Sequence, residues 1–381
     1  MPQPSISSAT PQQASVLLSH QLDLLASKPA LAHELPPVML WGPPGVGKSS
    51  VVREVAHSKS VGFIDIRLSQ REPVDLRGLP VPDQSRKVVD WWLPGEFPRD
   101  PSSRGIILFD ELTAADRSLQ VAAYELILDR RLGDLYQLPD GWLVVAAGNR
   151  ASDRAVAQTL SSALANRFCH LSLEPDVDTW VKWATQQGLH PDVVSFLRFR
   201  PASFFDMESN LEQGWPSPRS WTRVAQSLTH AESLSPDVLS LLVNGLVGPI
   251  AGNEFLAFRD WSSKLPDLKA MLDGEVPIAI PERVDQRYAF CTGLSFYLWS
   301  DISNEDILSP STNERLTRFF DISQKLPSDF ATLMLFDAMS GSDDESSQLR
   351  SAAIFGHTSF DAWSQQHGTA FQTYFPEFGS Q

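Results

Sequence analysis

The sequence predicts an α/β domain built on a mainly parallel sheet, followed by all-helical segments, and three observations carry that expectation. Short apolar runs at residues 38–41, 62–66, 105–109 and 142–147 read as buried strands. Helical stretches at residues 49–57 and 118–131 alternate with them, as parallel strands require. After Glu174 the strand signals fade and helical periodicity takes over.

The composition suits such a fold. With 381 residues, 42% hydrophobic and 20% charged, the chain can bury a sizeable core and divide into more than one domain. Lys and Arg number 31 against 46 Asp and Glu, a net charge of −15, which disfavours general binding to a phosphate backbone. The two cysteines, Cys169 and Cys291, lie far apart in the chain, so neither a disulfide framework nor a zinc site is expected, and a reducing cytoplasm fits. Residues 1–40 lack the basic start and apolar core of a signal peptide, and no apolar run approaches membrane-spanning length. A soluble, cytoplasmic protein without membrane insertion is the expectation.

Taken in order, residues 1–15 read as a flexible Pro/Gln/Ser leader. Val16, Leu17, Leu24, Leu25 and Leu31 then recur at helical spacing over 16–31. The strand at 38–41 runs directly into Gly42, Pro43, Pro44, Gly45, Val46, Gly47, Lys48 and Ser49, the P-loop pattern of Gly, four free positions, Gly, Lys and Ser/Thr, with Ser50 following. Glycines let the loop turn its N–H groups toward a β-phosphate, and the start of the next helix adds partial positive charge. Lys48 would reach the β/γ oxygens of ATP, and the Ser49 hydroxyl would hold Mg²⁺. An ordinary Gly/Pro turn with an exposed lysine is the bland alternative, and the flanking strand and helix speak against it.

The strand at 105–109 ends in Asp110-Glu111, the arrangement of a Walker B strand. Adjacent strand residues face opposite ways, so the two acids can divide the work. Asp110 would hold Mg²⁺ through water, and Glu111 would polarise the attacking water as general base. The strand at 142–147 ends in Gly148-Asn149, and Asn149 could orient that water or touch the γ-phosphate; a turn-forming Asn after Gly is the alternative. Between these motifs, Trp91, Trp92 and Phe97 sit among prolines in the stretch 72–103, as an exposed grip or a local hydrophobic plug, with the plug favoured. Residues 132–140, with Gly133 and Pro139, read as a further turn or hairpin.

This set of motifs resembles the AAA+ ATPases, and its details look most like the MoxR family, over about residues 16 to 250. The segment from Ser69 to Gly78 resembles the start of the insert that this clade carries with its midasin and dynein relatives. Leu164-Ala165-Asn166-Arg167-Phe168 looks like the family's arginine-finger segment, and Pro216-Ser217-Pro218-Arg219-Ser220 is similar to the sensor-2 motif that opens a lid helix. The resemblance implies a P-loop AAA+ domain with a parallel sheet, an all-helical lid and, beyond the usual family length, a C-terminal helical extension. It places Lys48, Ser49, Asp110, Glu111 and Asn149 in one subunit's site, Arg167 in a neighbour's site within a homo-hexamer, and Arg219 on the lid. It further implies a protein client and a von Willebrand factor A domain partner. A helix end capped by Arg167, and a plain helix start at Arg219, are the structural alternatives.

On this reading the core spans 16–173, the lid 174–280 and an acidic helical segment 281–381. Helical candidates after the core are 177–187, 191–198, 220–230, 236–246, 288–299, 314–324 and 327–338, with an acidic turn at 342–347. From Glu282 onward 6 Lys/Arg stand against 14 Asp/Glu, so the tail reads as a docking module for a basic partner or as the solvated surface of a structural bundle, the bundle being favoured. A nucleic-acid motor and a nucleotide-gated scaffold are the alternative functions. The charge argues against the first, and an intact Glu111, Asn149 and Arg167 against the second. No Asn-Lys-x-Asp guanine motif and no Leu-Ser-Gly-Gly-Gln transporter signature occurs, while kinase chemistry is left open by a P-loop alone.

Overall fold

Apolar side chains that alternate between two buried faces make the centre of the first unit. The computed structural model describes residues 7–153, 158–160, 162–208, 212–231, 234–262, 265–341 and 344–374. The chain divides into two units, Met1–Asp176 and Val177–Gln381. In the first, β1 (Ser8–Ala9), β2 (Val38–Trp41), β3 (Gly62–Arg67), β6 (Gly105–Asp110), β9 (Trp142–Gly148) and β10 (Cys169–Leu173) form one parallel sheet in the order β1-β10-β2-β9-β6-β3. Two antiparallel hairpins, β4 (Leu79–Asp83) with β5 (Val88–Trp92) and β7 (Arg131–Leu132) with β8 (Tyr136–Gln137), stand apart from it.

One face of the sheet, including Val38, Leu40, Ile106, Leu108, Val145 and Ala147, packs against Leu18, Leu22 and Leu25 of α1 (Pro11–Ser27) and Val52 and Val55 of α2 (Lys48–Ser58). The other, including Met39, Ile107, Phe109, Val144 and Ala146, packs against Leu76 of α3 (Pro73–Arg77), Leu119, Ala123 and Leu126 of α4 (Arg117–Asp129) and Leu164 of α5 (Ser162–Ala165). This two-faced burial explains why the strands lack an apolar/polar alternation in sequence.

The leader expected over residues 1–15 is corrected within its described part. Ser8–Ala9 pairs with Ser172 and Leu173 as an edge strand. α1 begins at Pro11 because Thr10 and Gln13 close a capping box and proline suits the first helical position. The helix also ends before Leu31: Pro29 opens a tighter 3-10 turn, Pro29–His33, since its ring removes a helical donor. The turn expected at 132–140 is the β7/β8 hairpin.

The second unit is helical: α6 (Val177–Gln186), α7 (Pro191–Phe199), α8 (Pro218–Leu228), α9 (Pro236–Val247), α10 (Pro249–Ser262), α11 (Leu268–Leu272), α12 (Val284–Trp299), α13 (Pro310–Ser323), α14 (Ser328–Met339), α15 (Asp344–Phe355) and α16 (Phe360–Tyr374). The acidic turn expected at 342–347 is corrected in part. Residues 342 and 343 lie outside the described residues, while 344–347 open α15, where Glu345 stands in a first turn that favours negative charge. The boundary expected near residue 280 is not a boundary between units. α12 packs on α7 and α10, Ala289 of α12 lies in the core with Phe196, Trp221 and Phe255, and Leu265 packs against both helical cores. Arg198 on α7 donates to both carboxylate oxygens of Asp337 on α14 and, at 2.9 Å, to Thr292 Oγ1 on α12. A buried ion pair of this kind ties the segments on either side of residue 280 into one structure.

Candidate nucleotide site

The sheet order brings the expected site residues to one edge. β9 lies between β2 and β6, with Trp41 opposite Gly148 and Phe109 opposite Ala146. The P-loop after β2, Asn149 after β9 and the Asp110-Glu111 pair of β6 therefore emerge side by side at the carboxyl ends of parallel strands, where open α/β sheets bind ligands.

Gly47 takes φ 102 as the N-cap of α2, a left-handed conformation that suits glycine, and Lys48 is the first residue of that helix. The Lys48 side chain is buried, and its Nζ donates to Gly42 O at 2.6 Å, Pro43 O at 3.0 Å and Asn149 Oδ1 at 2.8 Å. The ammonium thus sits between the loop and the end of β9. Ser49 Oγ donates to Asp110 Oδ2 at 2.5 Å, which puts the two residues expected to hold Mg²⁺ in contact. Hydroxyl and carboxylate oxygens are the donors a hard divalent cation prefers, and the pair fits that role together with phosphate oxygens. Among the described residues no cluster of three or more His, Cys, Asp or Glu is arranged to hold a metal by itself.

Glu111 follows the buried Asp110 in a left-handed conformation, φ 58, and its N–H donates to Asp110 Oδ1 at 2.8 Å. Ser69 Oγ donates to Glu111 Oε2 from the turn after β3. Asp65 on β3 is a third carboxylate beside this pair. Burial raises its pKa above the usual range, with the charge on Asp110 and, less strongly, Glu111 acting in the same direction against Arg67 and Arg53. Its Oδ1 has no hydrogen-bond partner among the described residues, while Oδ2 lies 3.4 Å from Arg53 Nη2.

Asn149 is held by Thr113, which the sequence reading missed. Thr113 Oγ1 accepts from Asn149 N and donates to Asn149 O, each at 3.0 Å. Gly148 is glycine because of crowding: a Cβ there would lie 2.8 Å from Thr113 Oγ1 and 2.9 Å from Met39 Cε. Thr113 carries no motif of its own, its one sequence signal being a hydroxyl close in the chain to the Asp110-Glu111 pair, whereas Ser69 opens the insert-like segment 69–78, which by itself says nothing of a contact with Glu111.

The remaining expected residues lie on other elements. Arg167 is exposed, and its side chain makes no hydrogen bond or ion pair among the described residues; the flanking Leu164 and Phe168 are buried in the core below it. Arg219 is the second residue of α8, exposed, behind the Ser217/Ser220 capping box, and belongs to the second unit. The aromatic stretch divides. Phe97 is 2% exposed and stacks on Tyr136 at 5.3 Å, so it is a plug. Trp91 and Trp92 lie on β5 at 42% and 67% exposure, which corrects the plug expectation for both.

A parallel sheet of this order, with a P-loop lysine, an Asp-Glu strand end and an Asn-ended strand converging at one edge, has the fold of a P-loop AAA+ domain. Residues 37–168 match the family model of the AAA domain, dynein-related subfamily. Over 144 residues the chain is 26% identical to midasin from Giardia intestinalis, an alignment that takes in 36% of this chain and 3% of midasin, so the chain spans a small fraction of that relative. Among solved structures it aligns with NtrX from Brucella abortus in complex with ADP (15% identity, 92% of this chain, 68% of that one, TM-score 0.34). It also aligns with a RuvB variant from Thermotoga maritima (14%, 79% and 88%, TM-score 0.34). At these scores neither alignment bears on function.

Proposed function

We propose that the protein is a MoxR-type AAA+ enzyme that hydrolyses ATP to remodel or activate a client protein, working as a homo-hexamer in the cytoplasm with a von Willebrand factor A domain partner. The observation that carries the hydrolytic part is the convergence of Lys48, Ser49, Asp110, Glu111 and Asn149 at the carboxyl edge of the sheet. The P-loop, residues 42–50, wraps the phosphates with its N–H groups, and Lys48 neutralises the β/γ oxygens. Ser49, directly, and Asp110, through water, would hold a magnesium ion, which would supply charge neutralisation on those oxygens. Glu111 takes the proton of the attacking water, and Asn149, locked by Thr113, orients that water.

Arg167 completes the site of a neighbouring subunit, and its exposed, unengaged guanidinium on a buried footing supports that part of the reading. An arginine supplied in this way is worth about 10³ to 10⁵ in rate. Arg219 acts from the lid. The MoxR-type assignment rests on the insert-like segment 69–78, the segments around Arg167 and Arg219, the dynein-related family match and the similarity to midasin over 144 residues. The exposed Trp91 and Trp92 give the client or partner an aromatic surface.

The experiment compares Lys48→Ala, which abolishes nucleotide binding, with Glu111→Gln, which keeps ATP bound without turnover. Equal loss of binding in both removes the division of roles. Isolation of the Glu111→Gln protein with its bound chains then tests the partner. A von Willebrand factor A domain protein supports the remodelling assignment, whereas nucleic acid or replication proteins overturn it in favour of a nucleic-acid motor.

A further inference from the structure

His170 joins the end of the P-loop strand to the segment that carries Arg167. Trp41, the last residue of β2, donates its Nε1–H to His170 Nδ1 at 2.8 Å. The other ring nitrogen, Nε2, lies 2.6 Å from the carbonyl oxygen of Ala165, the last residue of α5. An indole N–H can only donate, so Nδ1 must be the acceptor, and the proton of the neutral imidazole must sit on Nε2, where it donates to Ala165. Both nitrogens are engaged, and the two bonds admit one tautomer.

The placement matters more than the bonds. Trp41 directly precedes Gly42, and Ala165 stands two residues before Arg167. The carbonyl of Ala165 is one of the groups a helix end leaves without an internal partner, and among the described residues it accepts, besides the bond from His170, a long 3.4 Å bond from Phe168 N. The His170 ring also lies 6.0 Å from the rings of both Trp41 and Phe168. Leu164 and Phe168 anchor the segment by burial, which fixes its depth, while His170 fixes the direction of the turn from which Arg167 projects.

We propose that His170 is a positioning residue for ATP hydrolysis: held by Trp41 through Nδ1, it fixes through Nε2 the turn from which Arg167 reaches a neighbouring site. The proposal rests on the reading of Arg167 as an arginine acting across subunits. His170 touches neither phosphate nor water, so its effect passes through Arg167.

The test uses the full-length assembled protein. His170→Phe keeps a ring and loses both bonds. A reacting group displaced by about 1 Å can cost about a hundredfold in rate, so kcat is expected to fall about 10- to 100-fold, with the KM for ATP and the affinity for a fluorescent ATP analogue unchanged within about twofold. Subunits of His170→Phe are then mixed with subunits of Lys48→Ala, which have a dead nucleotide site and an intact Arg167. Recovery of hydrolysis is expected, because the intact arginine serves the His170→Phe sites. The same mixture with Arg167→Ala tests the underlying reading. Recovery with Arg167→Ala but not with His170→Phe overturns the proposal and leaves the reading of Arg167 standing; recovery with neither overturns both. His170→Gln, whose amide reaches toward Ala165, is expected to retain more turnover than His170→Asn, which reproduces only the acceptor facing Trp41. The reverse order, or equal rates, overturns the proposal even where His170→Phe does not fold.

Discussion

The ion pair between Arg198 and Asp337 offers a direct test of whether the helical half is one structure. Asp337 has 2% of its side chain exposed and receives hydrogen bonds on both oxygens from the guanidinium, one of them at 2.6 Å. Arg198→Met keeps much of the side-chain length and removes both donors, leaving a carboxylate that water cannot reach. Breaking a buried pair by deleting one partner costs about 3–5 kcal/mol. A unit of this size loses about 2–3 kcal/mol of stability per molar urea, so the helical transition should move down by about 1–2.5 M. The assay is urea unfolding of the full chain followed by far-ultraviolet circular dichroism, since the second unit holds most of the helix. Lys59→Met, which breaks an exposed pair with Asp23, serves as the control and should cost less than about 1 kcal/mol. Adding Asp337→Asn to Arg198→Met should recover part of the loss by removing the stranded charge. A loss for Arg198→Met no greater than that of the control would refute the reasoning, and with it the claim that α7 and α14 share one buried interior.

Further expectations follow from the same geometry. Gly148→Ala should force Thr113 and Asn149 apart and lower ATP turnover by about a hundredfold, measured as phosphate release, while the fold survives with about 1–3 kcal/mol lost. Phe97→Ala should cost about 3–5 kcal/mol in chemical denaturation, whereas Trp92→Ala should change stability by less than about 0.5 kcal/mol and show its effect only in client or partner binding. A chain truncated after residue 280 should lose the helical core, because α12 and α14 supply part of it, and should appear as aggregate in size-exclusion chromatography. His190 and His367 are both held below the ordinary histidine value of 6.5 chiefly by burial. The unfolded chain therefore takes up their protons first. Stability is complete above about pH 6.5 and should fall as pH drops through the lower folded values, a decline that thermal melts between about pH 7 and pH 5 would detect.

How much of this was legible depended on whether the physical signal was local. Residues 38–41, 105–109 and 142–147 are continuous apolar runs because both of their faces are buried, and such runs announce themselves. Cys169–Leu173 did not, since His170 and Ser172 interrupt the run while their neighbours serve the sheet. The P-loop and the Asp-Glu pair were readable because their chemistry requires fixed residues at fixed spacing. Thr113, and the contact that Ser69 makes, were hidden because their partners, Asn149 and Glu111, are 36 and 42 positions away and hydroxyl residues are common everywhere. Trp91, Trp92 and Phe97 looked alike among their prolines, and it is the distant part of the core around Phe97, Tyr136 included, that separates a packed ring from two exposed ones. The acidity of the tail was visible, but net charge reports the surface and says nothing of Trp363 or Phe319 beneath it.

The backbone at Glu111 bears on how this protein could be altered. A left-handed residue with a long side chain costs about 1–2 kcal/mol relative to glycine, and asparagine tolerates the conformation better. Heat selection acting on the chain without regard to turnover should therefore favour Gly or Asn at this position, and each such gain would remove the carboxylate. Consensus or thermostability engineering of the chain should hold residue 111 fixed from the outset, because there the backbone's own preference and the chemistry pull in opposite directions.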